Sequence, residues 1–272
     1  MKSKWLATPH LLWMALFTVI PLFLVLYYAV ATTSAEGEVS FTLAYLQEAL
    51  STGNLKIIWK SLRLALISTG ICFVLGYPVA YILSRREYAK RGNLLFLFVV
   101  PMWMNFLMRT YAWLTLLEQN GVINKLLAFF GLPKVMILYT DTAVLLGMVY
   151  NYLPFMILPI YTVLVKMDKS LLEAAQDLGA NPLRVFLRVV FPLSVPGIVS
   201  GVTMVFMPAV TTFIVSTLLG GGEYKLIGNL IEQKFLYVYD WNMGSALSII
   251  LMIVILLSMA LFSSVDRRKG VV

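Results

Sequence analysis

The sequence predicts an all-α polytopic membrane protein with six transmembrane helices. Only 12% of its 272 residues are charged, whereas a soluble domain carries about 25%, and the mean hydropathy is +0.87. Six apolar stretches reach the roughly 20 residues that a crossing helix needs. None of them alternates like a β-barrel strand. A helical bundle in lipid follows, because each span must satisfy its own backbone hydrogen bonds.

The predicted spans make the whole chain, 1–272, one membrane domain. The first span follows Lys2 and Lys4 and precedes ATTSA, a pattern that would also suit a signal peptide. Its apolar stretch is about twice as long as a signal-peptide core, so we expect a retained span. The predicted ranges are about 10–32, 61–83, 94–117, 142–165, 195–218 and 244–265. Prolines within them are expected to kink the helices, namely Pro21, Pro154, Pro159 and Pro208.

The distribution of charge predicts the orientation. With the N-terminus in the cytoplasm, 13 of the 21 Lys and Arg residues fall on inner segments, and eight of the 13 acids fall on outer ones. The positive-inside rule then places both termini in the cytoplasm. The net charge of +8 follows from this topology, so it does not require nucleic acid as a partner.

Cysteine and histidine usage predicts neither catalysis nor a metal site. Cys72 is the only cysteine and His10 the only histidine, so a disulfide within the chain and a Cys/His metal cluster are both excluded. Cys72 lies inside the second span and is expected to be a small packing residue. His10 stands at the start of the first span and leaves no usable Ser/His/Asp set. We therefore expect that the chain is not an enzyme.

Two outer loops contain short amphipathic stretches, FTLAYLQEAL and NKLLAFFGL. Each is typical of a short helix in the membrane interface. Such a helix either packs as a lid on the rim of the bundle or forms a docking surface for another protein. The first inner loop, RREYAKRGN, is short and basic and is interpreted as an orientation signal at the lipid surface.

The second inner loop, about 168–192, is a polar insert between two apolar stretches. Ser170 and Glu173 have the spacing of a capping box, which predicts a helix start. Gly179 suits the position after a helix, where a positive φ is common. The residues Leu171, Ala174, Ala175 and Leu178 share one face of this helix. A stripe of small residues needs either a partner or its own bundle to cover it.

A second helix is predicted in the same insert. Asn181 followed by Pro182 is typical of an N-cap and a first helical residue. This helix carries Arg184 and Arg188, and Pro192 and Pro196 are expected to end it before the fifth span.

The insert resembles the EAA loop of ABC-importer permeases with the MetI-like fold. The matching residues are Glu173-Ala174-Ala175, Gly179, Pro192 and Pro196-Gly197-Ile198. In that family the loop forms a coupling helix that docks in a groove of the cytosolic ATPase. The resemblance implies an ATPase-coupling role for Glu173, Ala174, Ala175, Asp177, Leu178 and Gly179.

Other stretches narrow the resemblance to permeases of spermidine/putrescine importers, and to the first of their two permease subunits more than the second. They are VVPMWMNFLMRTYAWLTLLEQNGVIN, LLGGGEYKLIGNLIEQKF, YPVAYILSR and MVYNYLPFMILPIY. The resemblance implies a multi-pass protein of the bacterial inner membrane with a second, homologous permease subunit, two cytosolic ATPase subunits and an extracytoplasmic polyamine-binding protein. The chain has no Walker A sequence, so ATP and Mg²⁺ are expected on the ATPase and no cofactor on this chain.

Two alternatives stay open. An ABC permease for another solute, such as a sugar, iron or thiamine, would carry the same loop. An ion-gradient-driven carrier would need no ATPase and would typically place an acid deep in a span, and the spans show no clear central Asp or Glu.

A polyamine path would need carboxylates, carbonyls or aromatic faces to offset the dehydration of several positive charges. The predicted path residues are Trp103, Asn105, Tyr111, Tyr150, Asn151, Glu118, Asp141 and Asp240, with Trp113, Tyr152 and Glu232 in the same set. The alternatives are interfacial aromatic belts, acids that face water, and asparagines that join helices. Arg109 would repel a cation and is interpreted as structural, snorkelling or paired with Glu118 or Asp141.

Overall fold

The computed structural model describes residues 4–33, 38–85, 93–222 and 224–269, which form a helical bundle with one short hairpin. Lys2, Glu36, Glu223 and residues 86–92 of the predicted basic loop lie outside these ranges. The α-helices are α1 Lys4–Met14, α2 Ile20–Val30, α3 Ala44–Ala49, α4 Thr52–Ser84, α5 Asn93–Val99, α6 Phe106–Leu117, α7 Val122–Phe129, α8 Asp141–Lys166, α9 Lys169–Asp177, α10 Pro182–Val185, α11 Phe191–Thr211, α12 Ile214–Gly220, α13 Ile227–Glu232 and α14 Trp241–Lys269.

Shorter elements connect these helices. Strands β1 Ala31–Thr33 and β2 Val39–Phe41 pair antiparallel, with Ala31 opposite Phe41. A 3₁₀ turn covers Val100–Trp103. Wider π turns occupy Ala15–Val19, Phe186–Val190 and Gln233–Tyr237.

Five helical segments in the described ranges are long and apolar enough to cross a membrane. The segments Leu94–Trp103 and Phe106–Phe129 meet at an angle of 98°. If they are counted together as one broken span, the number of crossings is six. The five unbroken segments are Thr8–Val30, Thr52–Ser84, Asp141–Lys166, Pro182–Thr211 and Trp241–Phe262.

The third span is not the continuous helix that was predicted over 94–117. The helix tightens into the 3₁₀ turn at Pro101, which lacks a backbone N–H. Met104 and Asn105 then adopt extended backbone with ψ of 146° and 133°. The side-chain oxygen of Asn105 accepts a hydrogen bond from the Leu107 N–H at 2.8 Å. Asn105 thereby caps α6 and makes it a new helix.

The fifth span also differs from its prediction. Helix runs from Pro182 through the π turn and past Pro192 to Thr211, so Pro192 and Pro196 do not separate the insert from the span. Pro192 stands in the first turn after the π turn, where the hydrogen-bond ladder is already shifted and the missing N–H breaks no regular bond. Pro21 follows a π turn in the same way. At the other end the helix stops at Thr211, and residues 214–220 form α12 instead.

The centre of the bundle is built by α4, α8 and α11, which pack directly on one another. Glycines allow their backbones to approach closely. A Cβ at Gly201 would lie 2.8 Å from Met156 Sδ, and one at Gly197 would lie 3.0 Å from the Pro159 carbonyl oxygen. Cys72 is fully buried in this core, as expected of a packing residue.

Candidate functional site

Asp168 is the N-cap of α9, the first helix of the insert. Its carboxylate accepts a hydrogen bond from the Ser170 N–H at 3.0 Å. That backbone bond, with a further one from the Ser170 side chain, holds the pKa of Asp168 below its usual value. The predicted capping box is therefore wrong in its N-cap, since Ser170 is already inside α9. An ionised carboxylate suits this position because it faces free N–H groups at the positive end of the helix dipole.

The same helix ends in a Schellman motif at Gly179, as the sequence predicts. Gly179 has a φ of +78°. Its N–H donates to the Gln176 carbonyl at 2.8 Å, and the Ala180 N–H donates to the Ala175 carbonyl at 3.1 Å. These are the two bonds that define the motif. No atom lies within 4 Å of a Cβ built on Gly179, so the turn is open to the outside.

The predicted stripe of α9 is divided between two environments. Leu171 and Ala174 are exposed, and Leu178 is 89% exposed. Ala175 is half-buried and packs against the bundle together with Leu172. Ala175 thus helps to seat the helix on the bundle, and its predicted ATPase-coupling role stays a prediction. The acids Glu173 and Asp177 are exposed.

The second half of the insert starts as predicted. The side chain of Asn181 accepts a hydrogen bond from the Arg184 N–H at 2.8 Å, and Pro182 follows as the first helical residue. Arg184 and Arg188 are exposed, beside the exposed Leu183 and Leu187. The insert therefore offers leucines, two acids and two arginines on its free surface.

The predicted path residues of the third span lie at its break. Trp103 is 77% exposed at the end of the 3₁₀ turn. Asn105 is exposed, and its side chain caps α6. A polar residue is therefore useful at this position because a new helix begins after the break. Tyr111 is exposed on α6. Trp113 on the same helix meets Tyr150 of α8 edge to face, with ring centroids 5.4 Å apart.

Arg109 is buried without the acid partner that was predicted. It is 8% exposed, and within the described ranges it forms no ion pair with Glu118 or Asp141. Its Nε has no hydrogen-bond partner there. The guanidinium carbon lies 5.8 Å from the centroid of the Phe106 ring, within the range of a cation–π contact.

Asn151 faces the interior of the bundle. It is 1% exposed, and its amide nitrogen donates to the Gly147 carbonyl at 2.9 Å on the same helix. Its amide oxygen is buried without a described partner. The neighbouring Tyr152 hydroxyl donates to the Pro208 carbonyl at 3.2 Å. Tyr152 therefore joins α8 to α11, whereas the described hydrogen bond of Asn151 stays within α8.

Asp141, one of the predicted path residues, is paired with cations. Lys60 and Arg63 of α4 lie 3.3 and 3.7 Å from its oxygens. The Tyr224 hydroxyl donates to it at 2.5 Å, and Lys60 Nζ lies 3.7 Å from the centre of the Tyr224 ring. Burial, and then the neighbouring Asp141, raise the pKa of Tyr224. This cluster ties the loop after α12 to the starts of α4 and α8.

The remaining outer acids differ in their surroundings. Asp240 pairs with Lys234 at 3.1 Å and also accepts from the Met243 N–H at 3.1 Å, which caps α14. Glu118 is exposed at the end of α6. Glu232 is half-buried and forms no ion pair with a described residue.

Two open cavities flank the glycine-rich loop after α12. One has a volume of about 750 Å³ and is lined by Lys60, Leu114, Tyr139, Thr217, Leu218, Gly220, Gly221, Gly222, Tyr224 and Lys225. The other, here called the Glu232 cavity, has a volume of about 800 Å³ and is lined by Thr217, Gly222, Tyr224, Lys225, Asn229, Glu232, Gln233 and Tyr237. Gly221 has a φ of +85°, so the loop needs glycine here.

Two asparagines that organise this region were not predicted. Asn229 accepts from Ser216 at 2.6 Å and donates to Thr217 at 2.7 Å and to the Phe213 carbonyl at 3.0 Å. It thereby fixes α13 on α12. Asn124 exchanges two hydrogen bonds with the Val135 backbone, at 3.1 and 2.9 Å. The only sequence signal for either was an asparagine near a helix start.

Comparison with known proteins supplies the context for this arrangement. Residues 73–271 match the family described as "Binding-protein-dependent transport system inner membrane component". The chain is 39% identical over 259 residues to the spermidine/putrescine transport system permease protein PotB of Escherichia coli K12, covering 94% of each chain. PotB of Haemophilus influenzae is 40% identical over 241 residues, or 87% of this chain and 84% of the relative.

A solved structure supports the fold. A bacterial ABC transporter involved in the import of the acidic polysaccharide alginate matches with a TM-score of 0.78 at 18% identity, over 98% of this chain and 96% of that one. The predicted fold class and the predicted resemblance are confirmed. The chain belongs to the family of binding-protein-dependent transport system inner membrane components, as a multi-pass ABC-importer permease of the MetI-like fold and the PotB type.

Proposed function

We propose that this chain is a transmembrane subunit of an ATP-driven importer that moves polyamines such as spermidine and putrescine into the cell. The observation that carries the proposal is the 39% identity to a spermidine/putrescine permease over 94% of the chain. The aligned region of 259 residues includes the break in the third span and the loop after α12. The similarity is therefore not confined to the insert.

The insert is the proposed coupling element. Glu173 and Asp177 would make polar contacts with a cytosolic ATPase, and the exposed Leu178 would enter an apolar groove on it. Gly179 keeps the turn compact. Because helix continues without interruption from Pro182 to Thr211, a push on the insert would pass directly into the fifth span.

The proposed assembly contains a second, homologous permease subunit, two ATPase subunits and an extracytoplasmic polyamine-binding protein. Both termini would lie in the cytoplasm of a bacterial inner membrane. ATP and Mg²⁺ would bind to the ATPase subunits, since this chain has no Walker A sequence. ATP binding would draw the two inserts together and open the bundle outward, and hydrolysis would reset it.

Trp103, Tyr111 and Tyr150 remain the proposed aromatic part of the substrate path, because all three are accessible. Among the proposed acids, Asp141 and Asp240 already have cationic partners, and Glu118 faces outward at a helix end. Asn105 and Asn151 are engaged with backbone and would contribute less.

A reconstituted system tests this function. The complex of this chain with its partner subunits is placed in liposomes, and ATP-dependent uptake of labelled spermidine is measured with and without unlabelled putrescine, maltose and iron. Uptake that only putrescine reduces supports the polyamine proposal. ATP-dependent transport of another solute would leave the coupling proposal standing and replace the substrate. Uptake that needs no ATPase would indicate an ion-gradient-driven carrier.

A further inference from the structure

Among the outer acids within the described ranges, Glu232 is the one whose surroundings suit a cationic ligand, and Glu38 and Glu48 are exposed. Among the described residues, Asp141 and Asp240 are each paired with a lysine, and Glu118 is exposed. Glu232 is half-buried, and no hydrogen bond or ion pair within the described ranges reaches its carboxylate. No positive group in the described ranges therefore compensates the negative charge of the Glu232 carboxylate.

The carboxylate is destabilised by its position. Burial raises the pKa of Glu232 above its usual value, which means that its negative charge has lost part of its hydration without gaining a partner. A positively charged ligand would compensate for this lost hydration by binding to the carboxylate. Charge-assisted hydrogen bonds to a carboxylate are among the stronger polar contacts in proteins.

The Glu232 cavity supplies the other groups that an ammonium needs. Its volume of about 800 Å³ lies within the range of small-molecule sites. Gln233 carries an amide oxygen, and the rings of Tyr224 and Tyr237 also border the cavity, where the Tyr224 ring already has Lys60 Nζ 3.7 Å from its centre. A carboxylate, an amide oxygen and aromatic rings together are suited to a protonated amine.

Lys225 also lines the Glu232 cavity. Its positive charge would repel a bound cation, so the cation is expected near Glu232 and away from Lys225. Lys225 precedes Glu232 by seven residues; Leu226 between them is extended, and the helix Ile227–Glu232 alone spans roughly 7.5 Å. A protonated amine at Glu232 is therefore separated from the repelling charge, whereas one beside Lys225 would be disfavoured. The site suits an amine whose carbon chain extends along the cavity.

We propose that Glu232 binds a protonated primary amine of the substrate in the Glu232 cavity as the substrate enters the bundle. This inference rests on the proposed function, since it assumes a polyamine substrate. It adds a specific carboxylate to the entry path and explains why a half-buried acid has no partner within the described chain.

The test uses the complete complex in liposomes with saturating polyamine-binding protein. Spermidine uptake is measured for the unaltered complex, Glu232→Gln, Glu232→Asp and Glu48→Gln. Glu48 is an exposed acid at the end of α3 and is the matched control, because it loses the same charge on the same predicted side. ATPase activity and size-exclusion profile report whether each complex has assembled.

We expect Glu232→Gln to reduce spermidine uptake about tenfold with assembly and basal ATPase activity retained. Glu232→Asp should recover part of the uptake, and Glu48→Gln should remain within about twofold of the unaltered complex. Equal uptake by Glu232→Gln and Glu48→Gln would overturn the role of Glu232 while leaving the proposed function intact. An unaltered complex that moves another solute and no polyamine would overturn both.

Discussion

The Tyr224 hydroxyl donates a 2.5 Å hydrogen bond to the carboxylate of Asp141, although 83 residues separate them in the sequence. Lys60 completes the contact by pairing with Asp141 and lying over the Tyr224 ring. The glycine-rich loop between the fifth and sixth spans is thereby held against the second and fourth spans. Tyr224 lines both open cavities, so the contact holds in place one side chain that the two cavities share.

Replacing Tyr224 by Phe is expected to loosen this loop. A hydrogen bond to a charged group contributes about 1.5–3 kcal/mol when buried, and the partial exposure of Asp141 reduces this to about 1 kcal/mol. The melting temperature of the purified chain in detergent should fall by about 2–4 °C.

Tyr139→Phe is the matched control for this substitution. Tyr139 lies against Gly221 of the same loop, and its hydroxyl forms no hydrogen bond with another residue in the described ranges. The raised pKa of Tyr224 adds a pH signature. The stabilisation of the folded chain by the Tyr224–Asp141 hydrogen bond is fully present below the ordinary tyrosine pKa of about 10. It is lost as the pH rises through the raised pKa of Tyr224. Equal melting temperatures for both variants would contradict the contact.

Gly179→Asp is expected to leave the protein inserted and to abolish ATP-dependent uptake. The positive φ costs a non-glycine residue about 1 kcal/mol, and the site has free space for a side chain, so folding should survive. The new carboxylate would instead occupy the surface that is proposed to dock on the ATPase.

Gly131→Asp provides the control, because Gly131 has a similar φ of +71° and equally free space but follows α7 on the predicted outer side. It should retain most of the uptake. Unchanged uptake in Gly179→Asp, with normal membrane insertion of both variants, would refute the coupling role of the turn.

The helix cap of the insert predicts a difference between two neighbouring substitutions. Asp168→Ala removes the side-chain acceptor at the start of α9 and should lower uptake severalfold by fraying the helix. Ser170→Ala keeps the backbone donor and should have a smaller effect. Since the pKa of Asp168 is lowered, its contribution is present above the ordinary aspartate pKa of about 3.9 and disappears as the pH falls through the lowered value. Uptake assays that rank the two variants in the opposite order would favour Ser170 as the cap.

Arg109→Ala is expected to reduce the yield of assembled complex several-fold. The side chain is 8% exposed, so its truncation leaves a cavity beside Phe106 and removes the packing of its long stem. Lys125→Ala on the exposed face of α7 is the control and should assemble normally. A normal yield of Arg109→Ala complex that no longer transports would assign Arg109 to the substrate path instead.

The features that were predicted correctly depend mainly on residues that are close together in the sequence. Gly179 and the pair Asn181-Pro182 are local signals of helix ends, and the structure has both turns where they were expected. The pairing of Asp141 could not be predicted in the same way, because its partners Lys60 and Tyr224 come from other spans. Charge counting placed Lys60 and Asp141 on the same side of the membrane but could not show that they meet.

The prolines show a second limit of sequence reasoning. Pro192 was expected to end a helix because a proline removes one backbone donor. Whether that loss matters depends on the hydrogen-bond pattern in the preceding turn, and the π turn Phe186–Val190 changes that pattern. The cap of α9 was displaced for a related reason, since Asp168 and Ser170 both suit a helix start and only the backbone geometry selects Asp168.

The π turn Phe186–Val190 also fixes the angular relation between the insert and the fifth span. A π turn holds one residue more than a regular helical turn would, and each helical residue advances the chain by about 100°. Loss of a single residue here would let the helix close into regular α geometry while α9, with Leu178 and Gly179, keeps its angle around the span axis, because the π turn already absorbs one extra residue. Lineages of this permease should therefore tolerate the loss of one residue within 186–190 more readily than the loss of one residue from the regular helix α11, which would turn the insert by about 100°.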